Sequence, residues 1–443
     1  MTRPVPHGWK EVALSDVSNA HSGGTPSRDE PDFWNDGIPW MKIEDITKSG
    51  KYLSTTIETI SDLGLQKSAA KLFPVGTVFL AMYASVGELC ISKIETSCNQ
   101  AILGFSNLKN IQRDYLYYYL LSLKEAWKRD IQTGSQPNLN KGLVLGRTIL
   151  LPTLPEQEGI AAVLGSVDAT IDATKQVIAQ TRQLKRAVMQ TLLTRGLPGQ
   201  HTQFKPSPLG TLPADWEVVK LGSCVEFGPQ NGLYKHASHY GSGTYIVRID
   251  DFQNGRFIRS SNFKRTDLTQ QEITSFKLDK GDFLINRVNS LSHLGKAAIV
   301  PDLDEDTVFE SNMMRLKFKQ SVLNVVYANY WFLGEFALQQ IKNFAKIAVA
   351  QCSISQQDVS SFLIPLPPLP EQEAIVGILN TVDARLARET ETLTRLQTLK
   401  TALMQVLLTG EVRVPVALGV SRPAEYGETS PIAVREIVRQ GSR

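Results

Sequence analysis

Few residues of this chain stand at the spacings that chemistry needs. His236 and His239 are three apart, but no second pair supplies the remaining metal ligands. His293-Leu294-Gly295-Lys296 ends like a phosphate-binding loop, yet the leading glycine of GxxxxGK[ST] is missing. Tyr83-Ala84-Ser85-Val86-Gly87 lacks the leading glycine of a nucleophile elbow. No GxGxxG follows a strand pattern, and no Asn-Pro-Pro-Tyr or Asp-Pro-Pro-Tyr run serves amino-methyl transfer. Pro31-Asp32 and Pro301-Asp302 are not followed by the Glu-x-Lys of a nuclease. The reading is a chain that binds and does not catalyse, with no catalytic residue and no metal ligand assigned.

Polar clusters carry more information. Asn286-Arg287-Val288-Asn289-Ser290 holds the side chains that read base edges, Arg for guanine and Asn for adenine. The stretch from Asn254 to Arg265 has four cations, among them Arg256 and Arg259, and no acid. Gln230, Asn231, Tyr234, Lys235 and His236 form a third cluster, with Arg248, Gln351 and Ser353 beyond it. In the first half Ser22, Thr25, Ser27, Lys42, Tyr83, Ser85, Ser135, Gln136 and Asn138 are comparable. Any one of these residues also fits a solvated loop. Recurrence at matching places in both halves favours DNA binding.

The elements that position these clusters are repeated. The 44 residues from Leu366 to Thr409 match Leu151 to Thr194 at a constant offset of 215, without a gap, and 20 are identical. Such a repeat means two copies of one unit. Each copy reads as a long helix opened by proline, with Glu-Gln-Glu at the positive end of the helix dipole. In the second copy Ile375, Leu379, Val382, Leu386, Leu393, Leu396, Leu399, Leu403 and Leu407 form a coiled-coil seam. Glu389 and its twin Thr174 interrupt it with polar groups, and the step through Leu396 to Leu399 reads as a phase slip. The 39 residues from Glu156 to Thr194 span about 58 Å as a helix. Pairing of the two helices, antiparallel, is the simplest way to cover both seams; packing of each helix on its own domain is the alternative.

Composition bounds the class. A 443-residue chain with 42% apolar residues builds two or three globular domains. No apolar run reaches membrane-spanning length, and MTRPVPHGWKEV lacks a signal-peptide core, which predicts a cytoplasmic protein with no membrane partner. Cys90, Cys98, Cys224 and Cys352 are scattered, as reduced thiols are. Net charge is only +3, and residues 1–150 carry 16 basic and 15 acidic groups. DNA binding must then use local clusters or a partner's charge.

The predicted organisation is a mixed α/β recognition domain over residues 1–150 and a helical region over 151–196. An irregular linker over 197–212 leads to a second α/β domain over 213–365. A second helical region over 366–412 and a polar tail over 413–443 complete it. In the first domain Arg113 to Arg129 reads as one helix; Val326 to Ile341 is its counterpart. The second domain echoes the first loosely: Asp215-Trp216 answers Gly8-Trp9, and Arg248-Ile249-Asp250-Asp251 answers Lys42-Ile43-Glu44-Asp45.

LPxLPEQE followed by a long helix ending LLT, twice, each time after an α/β unit, closely resembles the specificity subunit of type I restriction-modification systems. Ser22-Gly23-Gly24-Thr25-Pro26, Ile38-Pro39-Trp40 and Gly134-Ser135-Gln136-Pro137 look like that family's recognition motifs. The second half departs from them, with Phe227-Gly228-Pro229-Gln230 and Ala350-Gln351-Cys352-Ser353 in their place. The resemblance implies two target recognition domains, each reading one half of a bipartite, asymmetric double-stranded DNA site. It implies an antiparallel coiled coil with pseudo-twofold symmetry that sets the spacer. Two N6-adenine methyltransferase subunits, which use S-adenosylmethionine, would dock on Glu156, Gln157, Glu158, Glu371, Gln372 and Glu373. Two restriction subunits, where present, would use ATP and magnesium; this chain itself would hold no cofactor. A coiled-coil scaffold without DNA specificity is the alternative function.

Overall fold

The computed structural model of the chain describes residues 4–133, 138–258, 263–347 and 351–415. Its contacts divide it into two compact units, residues 1–175 with the stretch from Glu391 onward, and Gln176–Thr390. These units do not follow the linear segments. Each takes in the far end of the other repeat's helix.

The first unit is built on a five-stranded sheet in the order Asn19–Ser22, Ile102–Ser106, Val78–Ala81, Leu89–Ser92, Tyr52–Leu53. Val78–Ala81 is buried along its whole length, which is why it reads as a continuous apolar run without alternation. A smaller sheet joins Glu58–Ile60, Trp34–Met41 and Ser97–Cys98. Lys10–Ala13 pairs antiparallel with Thr148–Leu151 and closes the unit where the first long helix begins. The tyrosine-rich helix Arg113–Ser122 packs in the same core as Ile160 and Leu164 of the first long helix (Leu154–Arg195). Met404, Leu407 and Leu408 from the end of the second long helix (Leu369–Leu407) and just beyond it complete that core.

The second unit repeats the plan. A four-stranded sheet runs Val225–Asn231, Met313–Phe318, Phe283–Asn286, Ala297–Ile299, and a three-stranded sheet joins Lys264–Thr266, Tyr240–Val247 and Thr307–Phe309. Glu217–Lys220 pairs with Leu363–Leu366 as the closing pair before the second long helix. Met189, Leu192 and Leu193 share this core with Ile375, Val376 and Leu379. Both units are therefore mixed α/β, as predicted.

Three local expectations change. The linker is not irregular: Phe204–Ser207 and Gly210–Pro213 form an antiparallel hairpin whose Leu209 and Leu212 are buried in the second core. The helix read from Arg113 to Arg129 breaks at Leu123 into Arg113–Ser122 and Lys124–Thr133, and its counterpart breaks into Val325–Phe332 and Glu335–Phe344. The seam also runs differently. Leu399 and its twin Leu184 are exposed, at 37% and 51%. Lys400 and Lys185 are half-buried in their stead. The alternation of four- and three-residue steps thus continues through a lysine without slipping. A lysine serves there because its stem packs like an aliphatic residue and its ammonium meets a carboxylate.

Candidate nucleic-acid interface

The two helix openings are internal anchors. Gln157 is fully buried; its Oε1 accepts from the backbone N–H of Gln112, and its Nε2 donates to the carbonyls of Asn110 and Pro152. Gln372 does the same with Asn324, Val322 and Pro367. Glu156 accepts from Trp9 Nε1 at 3.0 Å and pairs with Arg413 at 2.6 Å. Glu371 accepts from Trp216 Nε1 at 2.9 Å and meets His201 Nε2 at 2.7 Å. These four side chains bind their own unit, because each must satisfy backbone and indole N–H groups that water cannot reach. The sequence reading assigned them to a partner; in the structure their hydrogen bonds are spent inside the unit. Only Glu158 and Glu373 of the six are exposed.

In the first unit the Gly23-Gly24 loop lies against the sheet. A Cβ on Gly23 would fall 1.9 Å from the carbonyl oxygen of Cys98 and one on Gly24 2.3 Å from Ala69, so no side chain fits. Trp40 donates to the carbonyl of Gly24, and Trp34 to that of Ser27, which pins the loop. Thr25 donates to Gln100 at 2.6 Å, and Leu139 N–H donates to the Met82 carbonyl at 3.2 Å. These contacts bring Ser22, Thr25, Tyr83, Ser85 and Asn138 to one edge of the unit. Ser27 is exposed beside them. Ser135 and Gln136 lie outside the described residues, as does Arg259 of the second unit.

In the second unit two small strands, Val288–Asn289 and Cys352–Ser353, pair so that Asn289 faces Cys352 and Val288 faces Ser353. Gln351 is exposed at the entry to that pair. Arg287 donates to the Ser311 carbonyl at 3.1 Å, and its own carbonyl accepts from Ile354 N–H. Asn231 and Asn286 stand opposite Met314 and Met313 on the neighbouring strand. Both amide atoms of buried Asn286, Oδ1 of Asn231 and Nε of Arg287 find no partner among the described residues. Buried polar atoms in this state are rare in folded proteins and mark unused hydrogen-bonding capacity. Ser311 and Asn312 also line an open cleft of about 360 Å³ with Tyr234, Lys235 and Arg248. The structure thus brings Asn231, Asn286, Arg287, Asn289, Ser353, Tyr234, Lys235 and Arg248 into one neighbourhood.

Gln230 and Arg256 are placed elsewhere. Gln230 turns inward, its Oε1 accepting from buried Arg315 and its Nε2 donating to the Ser275 carbonyl. Arg256 belongs to a hairpin that faces the second long helix, where it pairs with Asp383 at 3.1 Å. The buried partners, Arg315 and Asp383, are the groups that need compensation; the Arg256 side chain itself stays 60% exposed.

The remaining cations are paired too. Lys235 meets Glu272 at 2.7 Å, Arg248 meets Glu310 at 3.2 Å, and Lys42 pairs with Glu58, which also takes Arg28. Burial opposes the charge of Glu58, but Lys42 and Arg28 outweigh it and hold its carboxyl below the usual value of 4.5. A depressed carboxyl contributes stability above its unfolded value and loses it as pH falls. The unfolding midpoint of the first unit is therefore expected to hold between about pH 7 and 5 and to drop below about 4.5. Glu58→Gln should remove that increment, as thermal unfolding followed across pH would register.

Among the described residues no group of three or more His, Cys, Asp or Glu could hold a metal, and no helix is long and apolar enough to cross a membrane. Two α/β units on one repeated anchor, each with a polar loop edge, define a duplicated recognition protein. The family model for the type I restriction modification DNA specificity domain matches residues 6–183 and again 213–399, and the chain belongs to that family. It is 27% identical over 417 residues to the MjaVIII specificity subunit of Methanocaldococcus jannaschii, covering 93% of this chain and 94% of the relative. It is 23% identical to the EcoKI specificity subunit of Escherichia coli, covering 84% and 81%. A chain from structural work on assembly and conformational transition of the type I R-M system has the same fold, with TM-score 0.58 at 19% identity over 93% of this chain and 100% of that one. So does the S subunit from M. genitalium, with TM-score 0.52 at 13% identity over 92% and 97%. Membership makes this chain a DNA-recognition subunit and not a catalytic one.

The repeat anchors were missed as anchors, although Trp9 and Trp216 precede matched strands and could have been paired with the buried Glu. The same holds for Asp168, Asp383, Lys185 and Lys400, which residue type alone does not single out. They are identical across the repeat, and that was the available signal.

Proposed function

We propose that each unit reads one half of a bipartite, asymmetric DNA site, and that the long helices pair antiparallel along their length and fix the spacer between the halves. On this reading two N6-adenine methyltransferase subunits dock on the helical regions, with exposed Glu158 and Glu373 among their contacts. They bring S-adenosylmethionine; restriction subunits, where a system has them, bring ATP and magnesium. The complex works in the cytoplasm. The observation that carries the reading is the duplication of one buried Glu-Gln anchor beneath two loop edges of different sequence. One scaffold with two unlike reading surfaces suits an asymmetric site. Near-neutral charge in this chain leaves the phosphate-binding cations to the partners.

The reading is tested at Arg287. A side chain that reads a guanine is worth about 1–3 kcal/mol of discrimination. Arg287→Ala, co-expressed with its methyltransferase, is expected to relax one base position in one half-site and to lower methylation of the full site roughly 10- to 100-fold. Equal loss of discrimination in both half-sites would count against two separate readers.

A further inference from the structure

We propose that two ion pairs, Asp168–Lys400 in the first unit and Lys185–Asp383 in the second, key the register of the long helices and so select the spacer length; this rests on the function proposed above. The two pairs share one plan, with Arg256 as an added partner of Asp383 at 3.1 Å. Lys400 Nζ meets Asp168 Oδ1 at 2.6 Å, and Lys185 Nζ meets Asp383 Oδ1 at 2.6 Å. The other carboxylate oxygen accepts from a tyrosine of the recognition unit, Tyr118 at 2.7 Å and Tyr330 at 2.9 Å. Those tyrosines lie on equivalent helices, Arg113–Ser122 and Val325–Phe332. Each aspartate therefore ties together its own long helix, the other long helix and the recognition unit. Both aspartates and both lysines occupy matched positions of the repeat.

Their side chains are 7–19% exposed, so water screens the pairs only in part. An apolar seam repeats every seven residues, and sliding one helix by a heptad re-forms many of its contacts. The ion pairs do not re-form. Seven residues from Asp168 stand Ala161 and Lys175, which would offer Lys400 no acceptor or a like charge. Seven residues from Asp383 stand Val376 and Thr390, neither of them an anion for Lys185. A polar pair inside an apolar seam is the attested way to fix register, at a cost in stability. The leucines hold the helices together, and the pairs decide which residues face each other.

The test uses the full chain co-expressed with its methyltransferase, with methylated adenines mapped on a plasmid library that varies the spacer. Replacing all four groups by leucine removes both pairs but also takes the carboxylate acceptors from Tyr118, Tyr330 and Arg256, so folding of the variant is checked first by thermal unfolding. That variant is expected to methylate sites whose spacer differs by one to three base pairs about tenfold more, relative to the native spacing, than the unmodified chain does. A second comparison does not depend on the leucine variant folding. Lys400→Glu should relax the spacer in the same way, and adding Asp168→Lys, which reverses the pair, should restore it. A folded leucine variant with unchanged spacer selection, or a reversed pair that rescues nothing, would overturn the key. Absence of any two-part motif from the unmodified chain would instead overturn the function on which the key rests.

Discussion

Glu371→Ala is expected to destabilise the second unit by about 3–5 kcal/mol, the usual cost of removing one partner from a buried charged cluster. Glu371 is 3% exposed. It accepts from Trp216 Nε1, from Leu197 N–H at 3.3 Å and lies 2.7 Å from His201, which also meets Asp215 at 3.0 Å. Alanine leaves the indole N–H without an acceptor in the core and frees the linker that His201 ties down. Glu371→Gln keeps one oxygen acceptor and should cost less, about 1–3 kcal/mol. Hydrogen exchange read unit by unit checks this: protection should fall across the second unit and hold in the first. Uniform loss of protection in both units would contradict an anchor local to one of them.

Deleting one heptad from each long helix, residues 172–178 with 387–393, is expected to abolish methylation of the native site and move it to sites with a shorter spacer. Seven residues of helix span about 10.5 Å. Stacked base pairs rise about 3.4 Å, so the spacer should contract by about 3 base pairs. Deleting matched segments preserves the pairing of Asp168 with Lys400 and of Lys185 with Asp383, because both members of each pair shift together. Mapping methylated adenines decides the matter; a native spacer retained by the shortened chain would sink the idea of a helical ruler.

Much of this architecture was legible because it is written twice. The repeat located both long helices, and the apolar runs Val78–Ala81 and Phe283–Asn286 located central strands. What stayed hidden depended on burial. Glu156, Gln157, Glu371 and Gln372 look like surface polar groups at a helix start, and nothing in their spacing says that indole and backbone groups of their own unit wait for them. Leu399 fits the seam by type while Lys400 fits it by period, and type misled where period was right. The linker's Gly and Pro content concealed a hairpin, since Gly210 adopts a φ of +92° at its turn and Leu209 and Leu212 supply the apolar side. For the candidate interface, residue type singled out Asn286 to Asn289, which the fold sets in one neighbourhood with Asn231 and Ser353. It could not see that Gln230 bonds to Arg315 or that Arg256 pairs with Asp383, because those partners are far away in sequence.

The central claim is that this chain confers a two-part DNA specificity, and one measurement addresses it directly. The full chain is co-expressed with its methyltransferase subunit and N6-methyladenine is mapped across a plasmid by single-molecule sequencing. The account expects methylation confined to one gapped motif, with two unlike half-sites and one spacer length. Methylation without a motif, or in a single uninterrupted motif, would contradict it.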